Sequence, residues 1–109
     1  MVIKLPKKYN AGGAELNIVK KNSDHIGGNF SLIDYEISIS PEMVKHDYDA
    51  VVTFLHEALE ATLTMMNCRY LHKDDVQYLF VMNHSQFEQA VEQLARGVLN
   101  LIAENRGKK

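Results

Sequence analysis

Residues 51–66 read Val-Val-Thr-Phe-Leu-His-Glu-Ala-Leu-Glu-Ala-Thr-Leu-Thr-Met-Met, an apolar run interrupted by three ionisable side chains, His56, Glu57 and Glu60. A run of that length is too long for an ordinary strand and reads as a core helix. Charge buried without a partner is costly, so the three groups must share partners or a flank. At ~100° per residue, Glu60 falls about 40° from His56 and Glu57 about 100° from it. All three therefore project from one side of the helix, on a stripe that Thr53, Thr64 and Asn67 extend. Asp47 or Asp49 is expected to cap the helix. It should run to about Asn67, a length of ~30 Å that crosses a small domain.

The chain has 109 residues, enough for a single domain spanning residues 1–109 with one core. The formal net charge of -2 provides no basic field for nucleic acid or an acidic membrane, so neither is expected as a partner. Cys68 is the one cysteine, which excludes an intrachain disulfide and a Cys-rich zinc site. It is expected as a buried thiol near a helix end. No stretch reaches the ~18 apolar residues of a membrane span. The opening Met-Val-Ile-Lys-Leu-Pro lacks the apolar core of a signal peptide. A cytoplasmic location is expected.

Elsewhere the pattern favours a sheet before the helix. Residues 14–20 alternate as a strand, and residues 2–5 form a candidate short one. Turn residues at 22–24 and 27–29 precede residues 30–33, which could pair back across that turn. Residues 35–40 alternate strictly, with Ile37 and Ile39 on one face and Ser38 and Ser40 on the other. Ser40 and Pro41 suit the cap and first position of a short helix at 41–46. Residues 69–83 allow two readings: a strand at 77–82 pairing with 69–71, or a helix starting at Asp74. Ser85 and Glu88 form a capping box for a final helix to about Glu104. Its apolar face is expected to be Phe87, Val91, Leu94, Ala95, Val98, Leu99 and Ile102. Gly97 weakens that helix or allows close packing on the first one. The expected fold is α+β, a small, mainly antiparallel sheet packed on two main helices, the last crossing the first and bringing His84 close.

An imidazole and a carboxylate four residues apart on a helix can hold one ion together. His56 and Glu60 have that spacing, and zinc accepts both ligand types, with a His2Glu set and one open position among its catalytic arrangements. The best third ligand is His84, just before the expected cap of the final helix; His72 is the reserve. Glu57 is then placed as general base, taking a proton from a metal-acidified water. The strand at 35–40 could offer an edge to an extended peptide.

The Gly27-Gly28-Asn29-Phe30 turn, the Ile37/Ile39 strand and the helical Thr53-Phe54-Leu55-His56-Glu57 follow one another in an order that resembles minimal zincin-type metalloprotease domains of bacteria and their phages. The chain is most similar to small phage-type members with H-E-x-x-E and a downstream His, over roughly residues 14–104. The resemblance implies a zinc-dependent metallopeptidase with His56, Glu60 and His84 as ligands and Glu57 as base, acting on a peptide or protein in the cytoplasm, the host's for a phage protein. Glu60 stands where the standard motif has its second His, which also suits Mn or Fe. Two other readings stay open: a non-catalytic domain stabilised by the same ligands, and a metal-free, phage-type interaction protein with buried His–Glu hydrogen bonds. Oligomeric state is left open.

Overall fold

The computed structural model describes residues 3–22, 27–71 and 78–106. Four strands, β1 (Lys8–Ala11), β2 (Ala14–Lys20), β3 (Gly28–Ser31) and β4 (Glu36–Ile39), form a sheet of order β1-β2-β4-β3. β1 and β2 pair antiparallel with Tyr9 opposite Leu16, and β3 and β4 pair antiparallel with Phe30 opposite Ile37. β2 and β4 run parallel, with Ile18 opposite Ile37. A short helix α1 (Pro41–Val44), the long α2 (Asp47–Met65), a hairpin β5 (Arg69–Leu71) and β6 (Tyr78–Phe80), and the long α3 (His84–Asn105) complete the chain. The architecture is α+β with a small, mostly antiparallel sheet and two long helices, as the sequence pattern predicts. No helix among the described residues is long and apolar enough to cross a membrane.

The first strand lies later than the candidate at residues 2–5. Residues 3–6 are not strand, whereas Lys8–Ala11 are. The signal lay in Gly12-Gly13, whose φ of 59° and 96° make the tight two-residue turn of a hairpin. Residues 14–20 and the Ile37/Ile39 strand form as read. Residues 30–33 do not pair with 14–20: β3 pairs with β4 instead. That insertion makes β4 an interior strand, so the expected peptide-binding edge at 35–40 does not exist, and the outer strands are β1 and β3.

The buried sheet face, Tyr9, Ala11, Leu16, Ile37 and Ile39, meets Phe54, Ala58 and Ala61 of α2. Period-two burial on the strands and a three-to-four spacing on the helix therefore interlock. Tyr9 meets Phe54 edge to face, with ring centroids 6.1 Å apart. Its hydroxyl and the buried Thr62 Oγ1 share a hydrogen bond of 2.5 Å. Burial raises the Tyr9 pKa, with the Thr62 hydrogen bond opposing.

α2 starts where expected, but His46 occupies the cap position and neither Asp47 nor Asp49 caps through its side chain. Asp47 Oδ1 instead accepts the Ile3 N–H at 2.6 Å. The helix ends in a Schellman turn: the Asn67 N–H donates to Thr64 O, the Cys68 N–H donates to Leu63 O, and Asn67 adopts φ 60°. Cys68 is buried there, as read. It joins Leu63 of α2 and Ala90 of α3 in a second apolar cluster. The strand reading holds for 69–71 and 78–80. Asp74, start of the rival helix, lies outside the described residues.

α3 departs most from expectation. Its cap is Asn83, which exchanges hydrogen bonds with Gln86 in a full capping box, so Ser85 and Glu88 are not the cap pair. Helix buries Ala90, Gly97 and Leu101. Of the expected face, Leu94 and Val98 are half-buried, while Phe87, Val91, Ala95, Leu99 and Ile102 are exposed. Gly97 permits a close approach to the sheet as well as to α2: a Cβ there would lie 2.8 Å from Tyr9 Cε1 and 3.7 Å from Phe54 Cζ.

Candidate metal centre

α2 sets one flank on the sheet core, a second on α3, and holds His56, Glu57 and Glu60 on a third. Helical phase explains the division. Phe54, Ala58 and Ala61 face the sheet, Leu59 and Leu63 face the Ala90 cluster, and the remaining arc carries the ionisable stripe. Their side chains grade from 61% exposed at His56 to 24% at Glu60 and 11% at Glu57. His56 Nε2 lies 2.7 Å from Glu60 Oε1 and 3.8 Å from Glu57 Oε2. The structure thus brings these three predicted residues together around one imidazole.

β3 lies against the same flank. A Cβ on Gly28 would sit 2.8 Å from Ser38 O, 3.0 Å from Thr53 Cγ2 and 3.4 Å from Glu57 Cγ. Only a residue without a side chain lets the outer strand come this close to the stripe.

His84 is not brought to the group. Because Asn83 caps the helix, His84 is the first residue of α3, and its Nδ1 lies 3.3 Å from Glu88 Oε1 one turn on. Among the described residues, no group of three or more His, Cys, Asp or Glu side chains is placed to hold a metal ion. His72, the reserve ligand, lies outside the described residues, as does His25.

Sequence reasoning missed Arg69. Its Nη2 is 3.5 Å from Glu60 Oε2, its Nη1 donates to Thr64 Oγ1 at 3.4 Å, and its guanidinium lies 5.2 Å from the centre of the Phe30 ring. Thr64 Oγ1 in turn donates to Glu60 O at 2.7 Å. The Schellman turn at Asn67 folds residue 69 back towards the helix it has just left, and only that turn could have signalled it.

Among the described residues, this flank gathers two carboxylates, one guanidinium and one imidazole. His56 and Glu60 are the residues that could hold a cation, with Glu57 next to them and Arg69 fixing the far oxygen of Glu60. No protein-family model, curated protein or solved structure matches this chain.

Proposed function

We propose that this chain is a zincin-like metal-binding protein of the metallopeptidase type, with His56 and Glu60 as metal ligands and Glu57 as general base. The observation that carries the reading is the 2.7 Å approach of His56 Nε2 to Glu60 Oε1 on the accessible flank of a core helix, with the Glu57 carboxylate beside it. The donor types suit zinc, and the carboxylate suits Mn or Fe as well. Such an ion would supply Lewis acidity beside the scissile carbonyl. Glu57 would take a proton from an attacking water at its carboxylate and pass it to the leaving amine. Its shielded position beside Gly28 limits its freedom to turn away. An extended peptide substrate aligns on the outer strand β3, by backbone pairing. The described residues supply the two ligands His56 and Glu60; His84, held beside Glu88 at the start of α3, is not among them. The reading places the protein in the cytoplasm, with no nucleic-acid partner.

Zinc at about 100 times its dissociation constant stabilises the folded state by roughly 2.7 kcal/mol. For a domain of this size that is a rise in melting temperature of about 10 °C or more. His56→Ala and Glu60→Gln are each expected to abolish the rise, and His84→Ala to leave it unchanged. Differential scanning fluorimetry of tag-free protein makes the comparison. No zinc-dependent rise in the wild-type chain would refute the proposal.

A second reading has its own observation. The Arg69 guanidinium already pairs with Glu60, so His56, Glu60 and Arg69 can form a charge network that fixes the β5–β6 hairpin to α2 without metal. It predicts a melting temperature indifferent to zinc and lowered by Arg69→Met.

A further inference from the structure

α3 (22 residues) leaves an apolar arc uncovered, crossed between Phe87 and Ile102 only by Glu88. Phe87, Val91, Leu99 and Ile102 are each between 46% and 62% exposed, beside the arc that packs through Ala90, Gly97 and Leu101. At ~100° per residue, Phe87, Val91 and Ile102 fall within about 60° of one another, with Leu99 about 60° further round. Isolated exposed apolar residues are ordinary; a stripe running nearly the length of a helix marks an interaction surface. α2 widens it. Val52 is exposed two turns before Leu59, on the face that meets α3, and the exposed Tyr48 lies a turn before Val52.

Charge identifies the occupant. Glu88 and Glu92 flank Leu99 in helical phase, in the first half of α3; Arg96 follows them, and Arg106 ends the helix. A parallel copy would set like charges side by side, whereas an antiparallel copy sets acid against base. With the crossing near residues 94–95, Phe87 meets the partner's Ile102, Val91 meets the partner's Leu99, and Glu92 comes within reach of the partner's Arg96. Glu92 and Arg96 already pair within the helix at 3.0 Å, where both are exposed and free to exchange. We infer that α3 is a homodimerisation helix, pairing antiparallel with α3 of a second copy of this chain.

Size sets the strength. A helix about 33 Å long and 10 Å wide offers roughly 300–400 Å² to a partner, and Tyr48 and Val52 add to it. That is under the ~800 Å² per partner of a standard stable interface, so the dimer dissociates on dilution, with a dissociation constant on the order of tens of micromolar.

Sedimentation velocity from about 1 to about 500 µM brackets that constant. The wild-type chain is expected to pass from monomer to dimer across the range. Val91→Glu, at an exposed site, should weaken association at least ~10-fold while the circular dichroism spectrum stays that of the wild type. Glu92→Arg should weaken it, and adding Arg96→Glu should restore it. A monomer throughout the range, whether the face takes a different protein or none, would overturn the inference. So would a dimer indifferent to Val91→Glu, or charge variants that associate like the wild type. None of these outcomes depends on metal.

Discussion

Phe54→Ala is expected to destabilise the protein by about 3–5 kcal/mol, a large part of the stability of any domain this size. Phe54 is fully buried and meets Tyr9 edge to face. It also lines the place where Gly97 brings α3 down. Its removal opens a cavity at the point where sheet, α2 and α3 converge. The neighbours cannot collapse into it easily, because Tyr9 is held by its hydrogen bond to Thr62. Urea denaturation followed by circular dichroism gives the midpoint. At unchanged slope, a loss below ~1 kcal/mol would show that this junction is not the centre of the core.

The second large effect concerns chemistry. Under the proposed function, Glu57→Gln is expected to lower peptide hydrolysis by about 10²–10⁴-fold. The substitution keeps the shape of a side chain packed beside Gly28 and removes its charge and its capacity to take a proton. Zinc-dependent stabilisation should persist, since His56 and Glu60 are unchanged. Measured on a quenched peptide library with the thermal shift in parallel, lost turnover with retained metal response identifies a base. Retained turnover removes Glu57 from that role. A metal response with no hydrolysis even in the wild-type chain leaves a non-catalytic, metal-stabilised domain.

The elements legible in the sequence are those where one periodicity dominates. β2, β4 and α2 have clear alternation or a long apolar run, and all three form nearly where they were expected. β1 was hidden because Lys8 and Asn10 alternate with only two buried residues, Tyr9 and Ala11; the Gly12-Gly13 turn was the stronger clue. Strand order was not legible, since β3 reaches β4 through hydrogen bonds that no side-chain pattern encodes.

α3 shows two local rules in competition. Asn83-x-x-Gln86 and Ser85-x-x-Glu88 are both capping-box sequences, and the first prevails. Apolar residues cover so much of the helix circumference that periodicity could not choose which arc is buried. Small residues settle it: Ala90 and Gly97 let the helix come close, and bulkier Phe87 and Val91 remain outside. The two-residue difference in the cap decides where His84 points. The His56/Glu57/Glu60 cluster was legible because it needs only the pitch of one helix. Arg69 was not, because its approach to Glu60 depends on the turn at Asn67.

The proposed function stands or falls on whether His56 and Glu60 hold one metal ion together. A crystal structure of the tag-free protein soaked in zinc, with anomalous data at the zinc edge, decides it. A single strong anomalous peak is expected, bonded to His56 nitrogen and Glu60 oxygen at about 2.0–2.2 Å. A fully zinc-soaked crystal with no peak between these two side chains, and with Glu60 still paired to His56 and Arg69, would contradict it.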